Sequence, residues 1–158
     1  LDVAAKALGD GYEFHRMAAI DIDAIPGPFR FVVCNSVFQY LPDHGYAETV
    51  LAHMLTLCEP GGTVAVLDLV DAALSEEIQQ QRIRELGRAK YEELYGHLQH
   101  LAFERRHPIA LPPALCDLEV TVEPQDIVGY ANGRYRFNLF VRREARERPP
   151  LNVTPGAT

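Results

Sequence analysis

An α/β fold built around a doubly wound, mostly parallel sheet is predicted by three features of the sequence. Residues 29–34 are apolar, β-branched or aromatic except for Arg30, which is typical of a strand covered on both faces. A helical pattern follows, and residues 63–69 form a second apolar run. Two strands joined through a helix pair in parallel by a right-handed crossover. This unit predicts a sheet that can hold a ligand at its strand ends.

The helix between the two strands has a clear start and a clear end. Asp43 is the predicted N-cap, since its carboxylate can accept a hydrogen bond from the first turn. Pro60 cannot continue a helix, and the two glycines after it suit a turn. Apolar residues recur at three- and four-residue steps, at Ala47, Val50, Leu51, Met54, Leu55 and Cys58. The pattern therefore predicts one helix that covers one face of the sheet.

The rest of the chain divides into a polar helical region and a hairpin. Residues 75–103 are predicted to be mostly helical, with Ser75 as the cap and Gly87 as a break. Prolines then stiffen the connection to residues 118–124 and 135–141, which have strand patterns and a turn signal between them. These two runs predict an antiparallel pair at the end of the fold.

Composition limits the classes of function. The chain has 158 residues, of which 47% are hydrophobic, and a formal charge of −7, which suit one acidic globular domain. Nucleic-acid binding is not expected, because phosphate contacts need clustered Lys and Arg. The arginines of residues 142–148 are interleaved with acids and add little net charge. The surface therefore predicts partners other than nucleic acid.

Cysteine and histidine usage argues against disulfides and metal sites. Cys34, Cys58 and Cys116 are odd in number and widely spaced, which suits a reducing compartment. His97 and His100 share a helix face, but no carboxylate or third ligand follows at a regular offset, so no metal is predicted. No apolar run approaches the roughly 20 residues of a membrane helix, and no signal-peptide pattern opens the chain. A cytoplasmic location without membrane contact is expected.

Four short segments carry a resemblance to a known family. They are residues 12–21, 34–42, 59–62 and 133–142. In that order they resemble strand three with its acidic residue, strand four with its loop, the turn before strand five and the closing antiparallel strand of class I S-adenosylmethionine-dependent methyltransferases. The resemblance implies a partial Rossmann-like, doubly wound sheet that is mostly parallel with an antiparallel C-terminal strand.

The chain departs from the family at the turn that grips the cofactor. Gly9 and Gly11 follow a helical segment and lead into a predicted strand, whereas a phosphate- or cofactor-cradling turn follows a strand and opens a helix. The resemblance therefore implies the later part of a methyltransferase-like domain, residues 1–142, followed by a disordered tail or interdomain linker, residues 143–158. The family's first and second strands are expected to lie elsewhere or to be lost.

This truncation predicts an exposed sheet edge. In the family's strand order the absent strands belong between strands three and four, so Phe31, Val32 and Val33 are expected on an open, apolar edge. Such an edge promotes aggregation unless it is paired or covered. Another polypeptide, strand three itself or a second copy of the chain is expected to cover it.

The resemblance also implies roles for particular residues. Cofactor contacts are implied for Asp21, Ile22, Cys34, Asn35, Ser36 and Gln39. Tyr40 and His44 are the candidate catalytic residues. Tyr91, Tyr95 and His97 are candidates to bind the substrate. Ordinary structural roles stay open, since Asn35 and Ser36 can cap a strand end, Asp21 can cap a turn, and the tyrosines can pack on the sheet.

The implied function is transfer of a methyl group from S-adenosylmethionine to a small molecule or a carrier-tethered intermediate. The implied partners are the missing N-terminal half or neighbouring domains of a larger protein. The alternative is a non-catalytic pseudo-methyltransferase that serves as a structural or interaction domain. A nicotinamide-dependent oxidoreductase is less favoured, because its glycine fingerprint is also absent from the sequence.

Overall fold

A computed structural model of the chain describes residues 6–8, 11–97, 100–112 and 118–144. The elements of regular structure alternate between strands and helices. The strands are β1 (Phe29–Asn35), β2 (Cys58–Val70), β3 (Leu118–Pro124) and β4 (Arg136–Arg143). The α-helices are α1 (His44–Leu57), α2 (Ser75–Leu86) and α3 (Arg88–Tyr95).

The four strands form one mixed sheet in the order β1-β2-β4-β3. Within the described residues only β1 and β2 pair in parallel, and β4 is antiparallel to both of its neighbours. The α/β class is confirmed, but the expectation of a mostly parallel sheet is wrong. A parallel pair needs a crossover connection, and the short connection between β3 and β4 can only join them as an antiparallel pair.

The predicted strand–helix–strand unit is confirmed. The carboxylate of Asp43 accepts a hydrogen bond from the backbone of Tyr46 at 2.8 Å and so caps α1, as predicted. The predicted turn at Pro60 is instead the start of a longer strand, with Gly61 at a φ of 86° and a register shift between Phe29 and Phe31. The apolar stripe of α1 and the inner face of the sheet make the core, with Ala47, Leu51, Leu55, Val64, Leu69, Phe137, Leu139 and Val141 fully or almost fully buried.

The segment predicted as strand three is not a strand. Residues 12–18 have no regular structure, and Ala19–Ala24 forms a 3₁₀-helix. This helix packs on α1 through two hydrogen-bond contacts of the Ile20 backbone. The ring of His53 contacts the Ile20 carbonyl oxygen at 2.8 Å, and the Ile20 N–H donates to the Tyr46 hydroxyl at 3.3 Å. A strand needs a neighbour for its backbone groups, and helix α1 supplies none.

β1 lies at the open edge of the described sheet, as predicted, but the expectation that both of its faces are covered is wrong. Phe31 is 67% exposed and Val33 is 60% exposed, whereas Val32 is half-buried against the core. In the described part of the chain β1 pairs with β2 alone. Closure of this edge by residues 12–21, one of the three predicted coverings, is wrong, because that segment lies on α1 instead.

The helical region is shorter than predicted. Gly87, with a φ of 78°, separates α2 from α3, as predicted, and α3 ends at Tyr95. Ser75 does not cap α2, because its hydroxyl donates to the carbonyl oxygen of Asp71 at 3.1 Å. The final hairpin is confirmed. Within the described ranges no helix has the length and apolar character needed to cross a bilayer.

Candidate functional site

Two residues with unusual backbone conformations lie at the carboxyl ends of the two parallel strands. Ser36 follows β1 with a φ of 57°, and Asp68 near the end of β2 has a φ of 66°. The left-handed region is uncommon for residues that carry a Cβ atom. The Ser36 hydroxyl donates to Asp68 Oδ2 at 2.8 Å. Strained backbone that surrounding structure holds in place is concentrated at functional sites, so this pair marks a candidate site.

An irregularity in β2 aims the Asp68 side chain. The register between β2 and β4 shifts between Val66 and Leu69. The amide oxygen of Asn138 accepts the Asp68 N–H at 3.0 Å and so replaces the missing ladder bond. A bulge of this kind redirects one side chain of a strand. The Asp68 carboxylate is thereby brought to the end of β1, where it contacts Ser36.

Asp68 is buried and has three neighbours besides the backbone. It is 5% exposed, as is Arg136, whose Nη1 lies 3.8 Å from Asp68 Oδ2. The Tyr130 hydroxyl donates to the same oxygen at 3.3 Å. Burial, and then the negative charge of Asp68, raise the pKa of Tyr130, so its hydroxyl stays protonated and acts as a donor. The arrangement is a negatively charged acceptor held among fixed donors.

A cavity of about 420 Å³ opens at this point, and we call it the strand-end cavity. Its polar walls come from the two strand ends and from the loop before β4, and its apolar wall comes from that loop alone. The lining residues are Asn35, Ser36, Asp68, Gln125, Ile127, Val128, Gly129 and Tyr130. The carboxyl ends of adjacent parallel strands are the usual ligand position in α/β sheets. The cavity can accept a ligand that carries amine or hydroxyl donors.

Gln39 and Tyr40, the next predicted site residues, take different positions. Gln39 is 4% exposed, and its amide is engaged, since Nε2 donates to the Ser36 carbonyl at 3.3 Å and Oε1 accepts from Arg136 Nη1. It therefore positions the turn after β1. Tyr40 is exposed, and its ring meets the ring of His100 edge-on with centroids 5.0 Å apart.

Cys34 is half-buried and packs against the core. Burial raises the pKa of its thiol to about 11 from an ordinary value of 9.0. Since only the thiolate is strongly nucleophilic, Cys34 is unsuited to nucleophilic catalysis near neutral pH. In the strand it borders the site as a small apolar group.

The raised pKa predicts slow alkylation of Cys34. A shift of two units lowers the thiolate fraction about 100-fold, so in a Cys58→Ala/Cys116→Ala variant Cys34 is expected to react with iodoacetamide at pH 8 about 100-fold more slowly when folded than in urea. The rate constants are compared by mass spectrometry, with a cysteine-containing peptide as the control for urea. Equal rates in the two states would contradict the buried position.

Asp21 and Ile22 lie in the 3₁₀-helix that packs on α1. Asp21 is exposed, and Ile22 packs against the core. Neither residue lines the strand-end cavity. The structure thus separates these two predicted cofactor contacts from Asn35 and Ser36, because the segment that carries them does not join the sheet.

His44 lines another cavity, of about 890 Å³, at the first turn of α1. Its ring meets the ring of the buried Phe103 edge-on, with centroids 5.2 Å apart. Most of the remaining wall comes from residues 102–111. Neither His44 nor Tyr40 lines the strand-end cavity, and the two predicted catalytic residues have different surroundings.

The predicted substrate residues lie on or after α3. Tyr91 lines a cavity of about 190 Å³ together with Arg82, His100 and Arg136. The Tyr95 ring lies 5.5 Å from the ring of Tyr91 and carries the guanidinium of Arg82 at 4.7 Å. His97 is exposed in the turn that follows α3.

Sequence reasoning assigned no role to Asp68, Tyr130 or Arg136. The signal available for Asp68 was a charge inside an apolar run, because such a charge must find a partner when the strand is buried, whereas Arg136 opens a strand that contains further arginines. Tyr130 gave no such signal, since its loop position is ordinary. Across the parts of the chain that the structure describes, no three His, Cys, Asp or Glu side chains gather as a metal site.

The fold has counterparts among solved structures. An O-methyltransferase family protein from Burkholderia thailandensis superposes with a TM-score of 0.53 and 17% identity, over 92% of this chain and 40% of that one. A possible exported protein from Bordetella parapertussis superposes with a TM-score of 0.50 and 18% identity, over 83% of this chain and 44% of that one. A SAM-dependent methyltransferase from Methanosarcina mazei superposes with a TM-score of 0.50 and 12% identity, over 91% of this chain and 76% of that one.

No protein-family model matches the sequence, and no curated protein sequence matches it. At these identities the structural likeness shows the fold alone, and the chain has a methyltransferase-like fold. It spans less than half the length of the first two structures that it resembles.

Proposed function

We propose that the chain is part of an S-adenosylmethionine-dependent methyltransferase and that the strand-end cavity receives the methionine portion of the cofactor. The observation that carries the proposal is the pairing of Ser36 with Asp68 at the ends of two parallel strands, beside a cavity, in a methyltransferase-like fold. Asn35 and Ser36 keep the cofactor role implied by the sequence, and Asp68 joins them.

The charges of this cavity suit that ligand. The methionine portion carries an ammonium group, a sulfonium and a carboxylate. The Asp68 carboxylate and the Asn35 amide oxygen are acceptors that favour the two cations, and the Asn35 amide nitrogen is a donor for the carboxylate. Tyr130 and Ser36 already donate to Asp68 Oδ2, whereas Oδ1 has no partner among the described residues. A buried carboxylate oxygen without a partner is costly, and an ammonium group would satisfy it.

The chemistry required of the protein is mainly alignment. The sulfonium already activates the leaving group, so the chain contributes by placing the acceptor nucleophile, methyl carbon and sulfur in line and by excluding water. Tyr40 lies in the short 3₁₀-helix that follows β1, with its ring exposed, and we propose that it faces the reacting groups. His44 would act as a base only for an acceptor that reaches its cavity. We propose the same class of methyl acceptor that the resemblance implied, a small molecule or a carrier-tethered intermediate.

A second polypeptide segment would complete the site. Within the described residues β1 has an unpaired edge and presents Phe31 and Val33 to solvent on one face, and the sequence has no glycine turn that follows a strand and opens a helix. A segment that pairs with β1 would cover this edge and bring such a turn to the strand-end cavity. We propose the N-terminal half of a methyltransferase domain as this partner.

Calorimetric titration with S-adenosylmethionine tests the proposal, with the chain alone and with a candidate N-terminal half added. Binding in the micromolar range is expected for the assembly. Asn35→Ala is expected to weaken it about tenfold, since one hydrogen bond to a charged group contributes about 1.5 kcal/mol. Gln80→Ala, an exposed amide on α2, serves as the matched control and should bind normally.

Two results would contradict the proposal. Equal affinities for Asn35→Ala and Gln80→Ala would place the cofactor away from the end of β1. Absence of binding even with the partner present would favour the alternative, a pseudo-methyltransferase with a structural or interaction role.

A further inference from the structure

The cavity of about 190 Å³, which we call the arginine cavity, has a lining unlike the rest of this acidic chain. It lies between the end of β2, helices α2 and α3, and the segment around His100. Its polar lining consists of Ser75, Gln79, Arg82, Tyr91, His100 and Arg136. No carboxylate belongs to the described lining, although the chain has a formal charge of −7.

Two buried nitrogens at this cavity have no hydrogen-bond partner among the described residues. They are Arg136 Nε and His100 Nε2. Arg136 is 5% exposed, so its guanidinium cannot find water in place of a partner as a surface arginine does. A buried donor without a partner is unfavourable, and Arg136 Nε is such a donor, as is His100 Nε2 in one of its two neutral tautomers. A bound acceptor group would remove that penalty.

The charge of the cavity is close to one positive unit. Arg136 is balanced by Asp68, whose Oδ2 lies 3.8 Å from its Nη1. Arg82 has no ion pair within the described chain, and its guanidinium is held over the ring of Tyr95 at 4.7 Å. His100 has a pKa lowered by burial and by the charges of Arg136 and Arg82, so it is neutral near pH 7. The excess therefore comes from Arg82.

We propose that the arginine cavity binds one carboxylate group, supplied by the methyl acceptor. A guanidinium presents paired donors that match a planar carboxylate, and a single excess positive charge matches a monoanion better than a doubly charged phosphate. The hydroxyls of Ser75 and Tyr91 can donate to the same group.

The position of this cavity links it to the strand-end cavity. Arg136 Nη1 donates to Gln39, whose amide in turn donates to the carbonyl of Ser36. His100, on the wall of the arginine cavity, contacts the exposed ring of Tyr40. An acceptor anchored here by its carboxylate would extend past Tyr40 towards the end of β1. The identity of the ligand as the methyl acceptor rests on the proposed function, whereas carboxylate binding does not.

The test is an NMR titration of the chain at pH 7 and low salt, with benzoate as the probe and neutral benzamide as its control. Saturable shifts of the His100 ring and Arg82 side-chain signals are expected with benzoate and not with benzamide. Arg82→Gln should weaken the affinity for benzoate about tenfold or more, since it removes the excess positive charge of the cavity. Arg84→Gln removes the same charge from the exposed part of α2 and should leave the affinity within about twofold.

Benzoate affinities that are equal in these two variants would overturn the site. Tighter binding of inorganic phosphate than of benzoate would overturn the carboxylate assignment. Titration of S-adenosylmethionine on the same samples, with the candidate N-terminal half added, separates the two proposals. Benzoate binding without cofactor binding would keep the carboxylate site and overturn its role in methyl transfer, whereas cofactor binding without benzoate binding would overturn the carboxylate site alone.

Discussion

Replacement of Arg136 by methionine is expected to lower the free energy of unfolding by about 3–5 kcal/mol, because it leaves the Asp68 carboxylate buried without a compensating charge. Both side chains are 5% exposed, and Gln39 also loses the donor to its amide oxygen. Urea denaturation followed by circular dichroism at pH 7 measures the change.

Two further variants identify the cause. Arg142→Met removes the same kind of residue from an exposed position of the same strand, β4, and should change stability by less than about 0.5 kcal/mol. Asp68→Asn/Arg136→Met removes both charges, and asparagine tolerates the left-handed backbone at this position, so the double variant should recover about half of the loss. An Arg136→Met variant as stable as Arg142→Met would show that the ion pair is not buried.

Phe137→Ala is expected to be comparably destabilising, by about 3–5 kcal/mol, because it opens a cavity in the core. Phe137 is fully buried and lies in β4, which has a neighbouring strand on each side. The same urea denaturation measures the loss, and a protein of ordinary stability would be close to unfolding.

Phe31→Ala is the matched control, since it makes the same substitution in β1. The Phe31 side chain is 67% exposed at the open edge of the sheet, so the expected change is within about 0.5 kcal/mol. Reduced self-association at high concentration is expected as well, because the apolar edge becomes smaller. Equal destabilisation by the two substitutions would mean that the outer face of β1 is covered in the folded chain.

The match between sequence and structure is best for the unit from β1 to β2. The apolar run of β1, the Asp43 cap and the stripe of α1 each depend on residues close together in sequence, so a local pattern reveals them. The same holds for the break at Gly87 and for the final hairpin. The edge position of β1 was also predictable, once the resemblance had supplied a strand order, whereas the exposure of Phe31 and Val33 on one face was not.

The failures concern segments whose structure depends on a distant neighbour. Residues 12–21 have a strand-like pattern, yet their terminal part forms a 3₁₀-helix on α1, because no strand partner lies beside them. Asp21 and Ile22 lie on that segment and are therefore outside the sheet. The antiparallel share of the sheet was underestimated for a related reason, since strand direction follows from which strands become neighbours.

The local elements and the polar turn at Asn35 and Ser36 follow from short stretches of sequence, because caps, turns and periodic apolar faces act over a few residues. The bulge that turns Asp68 out of its strand, and the position of Arg136 beside it, 68 residues further on, depend on the packing of the whole sheet. A buried charge requires a partner, but it does not specify where in the chain that partner stands.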